Sequence, residues 1–410
     1  MGAPILELLL LAALVSGAAR AEEIPPGMES IGAAFASGRP ILELRPRYNR
    51  IDESDKPERT EGITYRAIAG WQTAPWRGLR LTAELIHTGH IGDKDYNDDG
   101  AQFFTSRYPL LPDPGTTQVN RAFLDYTGVE ATRIRAGRQV VRMDNQRFLS
   151  DNDFRNIPQL FDGVGITNTA IPNAELHAAY YWRQRNTSGT EAKLNLTLLH
   201  AAWNPAPGHG VAAYAYFHDQ AQNGAFTGFA DSSYRIVGAR AEGTVPGGAF
   251  DWLYIAEAAT QRAFSGGDPR IDVRYGRLGG GAATDRWTVR YDYEVKGSNE
   301  GAYGLQTPLT DFYQFNGWTL HFFNTPFQGL RDQWLTGRLQ VGPLIGYGEA
   351  HRFKSDFGRL DFGRETDLGL TWLALENLSV RLQNARYRPG SSQPPQPRIT
   401  KYWLTVTYTY

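Results

Sequence analysis

From Thr400 to Tyr410 the side chains alternate without a break, with Tyr402, Leu404, Val406, Tyr408 and Tyr410 on one side and Lys401, Trp403, Thr405, Thr407 and Thr409 on the other. A period of two is the repeat of a β-strand, whose successive side chains leave opposite faces; a helix would scatter the same residues around its circumference. The pattern returns in Arg286 to Val295, where Trp287, Val289, Tyr291, Tyr293 and Val295 oppose Arg286, Thr288, Arg290, Asp292 and Glu294. It returns again in Ala174 to Arg185 and in Glu191 to Leu198. Such a chain must bury one face of many strands and wet the other. Its 12% aromatic content, 44 Gly and 3 Met suit that demand, as does a mean hydropathy of -0.44, because greasy and wet faces average to a hydrophilic chain.

A soluble sandwich also alternates, so the connections decide. Eighteen alternating segments can be drawn, from 40–50 to 399–410. Every second link between them is short, as in Ala74 to Arg77, Val129-Glu130, Ile171 to Asn173, Gly342-Pro343 and Glu376-Asn377. The opposite set holds the long ones, including Gly89 to Thr117, Met143 to Leu160 and Gly297 to Leu330. Tight periplasmic turns facing long external loops are the asymmetry of outer-membrane barrels. The chain is therefore predicted to be all-β, a transmembrane antiparallel barrel of about eighteen strands over residues 40–410. Within 297–330, Trp318 to Phe323 is either a further strand or a segment folded inside a loop.

The sustained apolar run Ile5 to Val15 is too short to cross a bilayer as a helix. With Ala19-Arg20-Ala21 behind it, it predicts a signal peptide over 1–21, although no Lys or Arg precedes the run. Residues 22–39 then form a periplasmic N-terminal segment. The absence of cysteine agrees with export without disulfides.

The C-terminal alternation, ending on an aromatic, resembles the signal read by the barrel-assembly machinery, which implies that machinery and outer-membrane lipid as partners. Two longer stretches resemble the alginate-export family of outer-membrane barrels. The first runs through Asp95-Tyr96-Asn97-Asp98, Tyr108-Pro109, Asp113-Pro114, Asn120 to Phe123, Arg135 to Gln139, Asp144 to Phe148 and Phe161-Asp162-Gly163. The second runs through Gly329 to Asp332, His351-Arg352-Phe353, Ser355-Asp356 and Gly363 to Leu368. After Phe148 the family continues with Gly and then Trp-Arg, whereas this chain has Leu149-Ser150 and later Phe154-Arg155. The resemblance implies a channel more strongly than it implies alginate.

Of 42 basic residues 36 are Arg, whose planar fork binds carboxylate or phosphate through paired hydrogen bonds where Lys offers a point charge. Alternation puts Arg45, Arg47, Arg66, Arg80, Arg121, Arg133, Arg135, Arg183, Arg274, Arg286 and Arg290 on inward faces, with Glu43, Glu84, Asp125, Glu175, Glu191, Asp292 and Glu294 beside them. Arginine–carboxylate ladders bracing the wall are the plain reading of that set. The sharper one makes Arg138, Arg142, Arg147 and Arg155 a basic constriction on a loop folded inward.

In Gly92 to Gly100, Asp93, Asp95, Asn97 and Asp99 alternate oxygen ligands as calcium would need, but the EF-hand Gly and Glu are missing, and a solvated acidic turn is the preferred reading. Otherwise no cofactor is expected. No metalloprotease, serine-hydrolase, phosphate-loop or dinucleotide motif occurs. The expected function is a passive channel for anionic polysaccharide or small anions, and not an enzyme; the rivals are an outer-membrane hydrolase or acyltransferase and a structural or adhesive barrel. No nucleic-acid partner is expected. Oligomeric state and the direction of transport are left open.

Overall fold

The computed structural model describes residues 30–98, 105–220, 231–392 and 396–410. The predicted signal peptide and Asp99 lie outside them. The strands are β1 (Arg39–Glu53), β2 (Thr60–Gln72), β3 (Leu79–Asp95), β4 (Thr116–Val129), β5 (Thr132–Gln139), β6 (Leu160–Asn168), β7 (Ala174–Arg185), β8 (Glu191–Ala206), β9 (His209–Asp219), β10 (Tyr234–Pro246), β11 (Asp251–Ala263), β12 (Asp272–Ala283), β13 (Trp287–Lys296), β14 (Ser298–Asn299), β15 (Tyr303–Gly304), β16 (Leu330–Val341), β17 (Leu344–Lys354), β18 (Asp361–Leu375), β19 (Leu378–Pro389) and β20 (Ile399–Thr409). All except β14 and β15 join one eighteen-stranded antiparallel sheet. It closes on itself because β1 pairs with β20, from Glu43 opposite Thr409 to Glu53 opposite Ile399.

The eighteen barrel strands are those read from alternation, with ends moved by a few residues. β14 and β15 make a two-stranded ribbon inside the loop that joins β13 to β16. Trp318 to Phe323 adds no strand; it is turn structure within that loop. Residues 31–36 form a short helix, α1 (Ile31–Ala36), capped by Ser30 Oγ, which accepts from Ala33 N at 3.1 Å. It docks at the short-turn end, where Ala74 N donates to Ala34 O and Trp71 Nε1 to Phe35 O.

Outward positions are exposed and apolar, among them Leu44, Leu85, Leu124, Leu199, Leu278, Leu335, Leu368 and Leu404. Trp71, Trp203, Trp252, Trp287 and Trp372 stand near the short-turn ends of their strands, as a girdle at one membrane interface requires. No described helix is long and apolar enough to cross a membrane; the strands supply the crossing.

The inward face holds the main difference from expectation. On β7 to β12 much of it is apolar too, with Tyr181, Leu194, Leu196, Leu198, Tyr214, Tyr216, Ile236 and Tyr275 buried beside polar side chains such as His200, Arg240, Glu257 and Gln261. A wall apolar on both sides cannot stand against lumenal water. It is covered instead by two loops folded inward: Phe148 and Leu149 from loop 140–159, and Tyr303, Leu305 and Leu309 from loop 297–329, join the same cluster. Short β5 and β6 leave the upper part of β4 without a ladder partner, and Arg185 of β7 reaches its edge, donating to Val119 O at 2.8 Å.

Alternation mistakes a few arginines. Arg274 is exposed on the outward side of β12 and the inward cation is Arg277, because Val273 and Tyr275, apolar residues that alternation would send to lipid, turn inward to join the cluster under the infolded loops. Arg183 follows a bulge that interrupts the β7 pairings after Tyr181. Its side chain stays 47% exposed and pairs with Glu191. Arg286 lies in the exposed turn before β13 and not on a strand.

The absence of native cysteine makes the two faces directly testable. Single-cysteine variants V289C and L404C should resist a membrane-impermeant maleimide in proteoliposomes and be quenched by a lipid-phase probe, while R338C should label from water. Equal aqueous labelling at all three positions would contradict the assigned faces.

Candidate functional site

The candidate site is the lumen and the two loops within it. Three inward arginines near the β1–β20 seam act as pegs for loop 140–159. Arg45 donates to Asp153 O at 2.7 Å and Arg155 O at 2.5 Å, and Arg47 to Phe154 O at 2.7 Å with its guanidinium 4.2 Å from the Phe154 ring centre. Arg66 bridges Glu43 at 2.8 Å and Asp153 at 2.9 Å. Carbonyls of a loop inside a barrel have no ladder to join, and charged donors satisfy them.

Loop 140–159 does turn inward as expected, yet its arginines form no open ring. Arg142 holds Asp151 through paired bonds of 2.8 and 2.6 Å. Arg147, almost wholly buried, reaches Glu294 at 2.6 Å and Asn316 at 2.9 Å and stacks 4.5 Å from Phe315. Arg155 donates to Pro112 O at 2.5 Å and lies 3.4 Å from Asp113. Arg138 is not on the loop. It is the penultimate residue of β5, with the parity of Ile134 and Ala136, and pairs with Asp162 at 2.8 Å and Glu191 at 2.6 Å on the side away from the lumen.

The loops also hold each other, Ser150 N donating to Leu309 O at 2.8 Å and Asp311 N to Gln146 O at 3.1 Å. Asn316 then donates to Glu294 at 2.9 Å and Asp332 at 3.1 Å. Gly317 sits at φ +84° where a Cβ would strike the Glu365 carboxylate. Beneath, in loop 297–329, burial first and then Asp151 push the Asp311 carboxyl up to about 7. The Asp153 carboxyl moves the opposite way: burial favours its acid form, but Arg66 and Arg45 outweigh it and hold the pKa well below the usual range.

Nearer the short-turn mouth the arrangement changes. Arg135 is tied to Asp125 by two bonds of 2.8 Å, and Arg290 to Asp292 at 2.6 Å. Arg133, Arg338 and Arg381 face inward within four residues of short-turn strand ends. Among the described residues none of these three makes an ion pair with a carboxylate. Arg133, Arg135 and Arg290 were singled out by alternation. Arg338 and Arg381 were missed, although they share the parity of Trp334 and Tyr387 and counting by twos finds them; Arg240, paired with Glu242, was missed likewise.

Of the acidic run, Asp93 and Asp95 lie exposed at the end of β3 and Asn97 is buried; Lys94 pairs with Asp98 at 2.7 Å.

A family model described as alginate export matches residues 90–304, just over half of the chain. No curated protein matches the sequence. Crystal structures with the same fold include OpdL of Pseudomonas aeruginosa, 15% identical with TM-score 0.67 over 92% of this chain and 99% of that one. OccAB4 of Acinetobacter baumannii is 11% identical with TM-score 0.68 over 91% and 98%. OpdK of Pseudomonas aeruginosa, solved with vanillate, is 16% identical with TM-score 0.68 over 92% and 99%.

Two outcomes test the loop architecture. Arg147→Met leaves Glu294 buried without its cation and should cost about 3–5 kcal/mol, read as a lower urea midpoint for the heat-modifiable form, with R147M/E294Q recovering most of it. The Asp311 carboxyl takes up its proton near pH 7 when docked, against about 3.9 in a free chain. Loop docking is therefore strongest below the free-chain value and weakens as pH rises through about 7. Limited proteolysis of loop 297–329 should be slower at pH 5.5 than at pH 8.5, and Asp311→Asn should be slow at both.

Proposed function

The chain belongs to the alginate-export family of outer-membrane β-barrels, and on that footing we propose that it is a passive channel whose lumen favours anions, carrying uronate chains or small organic acids. The observation that carries this reading is the set of inward arginines at the short-turn mouth, Arg133, Arg338 and Arg381, which among the described residues have no carboxylate partners while most other lumenal charges are paired. A guanidinium facing water in a narrow lumen acts on a permeant ion directly, whereas charges on external loops are screened beyond about 8 Å at physiological salt. The overall charge of -1 is for that reason a poor guide to selectivity.

The two infolded loops narrow the lumen and suit thin cargo, either a single extended polysaccharide strand or a monomeric acid. The vanillate in OpdK is an aromatic carboxylate held in a barrel of the same fold, and it makes small carboxylates a natural first probe. No catalytic step enters this reading.

Planar-bilayer recordings test it. Reversal potentials in a salt gradient should show anion preference, reduced toward parity in the R133Q/R338Q/R381Q variant and unchanged in R59Q, whose guanidinium pairs with Glu61 outside the lumen. Oligouronates and vanillate should block the wild-type current where neutral oligosaccharides do not. Cation preference in the wild type would remove the anion assignment and leave the barrel intact.

A further inference from the structure

The inner wall of β16 to β18, a few strands round from the β1–β20 seam, carries a group of side chains that the channel reading does not use. Glu349 and His351 project inward from β17, and the β17–β18 register sets Glu349 across from Asp367 and His351 across from Glu365. One ligand atom each from Glu349, His351 and Asp367 lies within 4.8 Å of the others. His351 Nε2 is 3.3 Å from Glu349 Oε2 and 3.9 Å from Asp367 Oδ2. Ligands about 2.0–2.2 Å from a tetrahedral zinc ion stand about 3.3–3.6 Å apart, so these spacings are close to those of a coordination shell.

The other ring nitrogen is already committed. His351 Nδ1 lies 3.0 Å from both oxygens of buried Asp332, so a proton held there fixes the tautomer that turns a bare Nε2 toward the two carboxylates. A carboxylate behind a histidine behind a metal is the usual outer shell of such sites. Asp367 supplies a separate sign that something is missing: it is fully buried, Trp318 N donates to its Oδ2 at 3.3 Å, and its Oδ1 meets no donor.

Charge points the same way. Asp332, Glu349, Glu365 and Asp367 surround one imidazole, and among the described residues no Lys or Arg forms an ion pair with any of the four. Buried carboxylates without a cation are expensive, and a single histidine does not balance four of them.

We propose that Glu349, His351 and Asp367 bind one divalent transition-metal ion of the zinc class, with Asp332 as the positioning residue. Glu349, whose side chain is 18% exposed, is the lumenal door through which the ion enters and where a water takes the fourth place. An imidazole ligand and a small ligand count favour zinc over calcium, which takes six to eight oxygens. The ion also steadies loop 297–329, because Trp318 N and Thr319 N rest on Asp367 and Glu365.

The full-length barrel in detergent, stripped with EDTA and titrated with zinc chloride in a calorimeter, tests this. One ion per chain is expected, with metal content after desalting as a second readout. A tenfold excess of calcium chloride should not compete. Glu349→Gln, at a partly exposed position whose loss spares the fold, and Asp367→Asn should each weaken binding at least tenfold. Asp332→Asn should weaken it by about 10–100-fold while the stoichiometry stays at one. Absence of saturable zinc binding by the wild type would overturn the proposal. So would undiminished affinity in both E349Q and D367N barrels that retain heat-modifiable folding, since the ion would then sit elsewhere.

Discussion

A strand edge in hydrocarbon leaves N–H and C=O groups with nothing to bond to, at several kcal/mol each, and that penalty organises the whole molecule. The pairing of β1 with β20 removes the last edge. Once the ring is closed, alternation has to resolve into a lipid side and an interior side on every strand. Leucine and valine dominate the outside and most charge is forced inward. Where β5 and β6 end early and expose part of β4, the Arg185 guanidinium stands in for the missing ladder.

Closure creates a second problem, because an eighteen-stranded ring is wider than its own side chains can fill. In this barrel one arc of the inner wall carries a large apolar cluster. Loops 140–159 and 297–329 answer both needs, bringing Phe148, Leu149, Leu305 and Leu309 onto that arc. The backbone of loop 140–159 arrives with unpaired carbonyls, and Arg45, Arg47 and Arg66 are there to receive them. Much of the arginine excess is thus spent on holding loops, in a low-dielectric interior where removing one member of a pair costs far more than the pair contributes.

What remains after this pairing sets the field in the lumen. The seam side carries cations bound to loop carbonyls, the mouth carries arginines without acidic partners, and the wall of β16 to β18 carries a surplus of carboxylates around His351. The mouth arginines face the lumen near the short turns, while the carboxylate wall lies under loop 297–329, whose Trp318 and Thr319 N–H groups rest on Asp367 and Glu365.

The eighteen strands, their faces and the alternation of short turns with long loops were legible in the sequence, because period and spacing are local properties that hydrocarbon enforces strand by strand. Arg133, Arg135 and Arg290 fell on the right face for that reason, and Arg338 and Arg381 were open to the same count. Arg183 went astray at a bulge that shifts parity by one, Arg274 where Val273 and Tyr275 turn inward under the loops, and Arg138 because it was grouped with the loop although it keeps the outward parity of Ile134 and Ala136. Which arginine meets which carboxylate was not legible at all. Arg147 finds Glu294 across 147 residues of chain, and Glu349, His351 and Asp367 converge through the register of two strands with Asp332 arriving from a third. Such meetings depend on how the sheet is sheared when it closes and on where the loops settle inside it. The alternating sequence determined a barrel with a charged interior, and tertiary closure decided which of those charges are left to act.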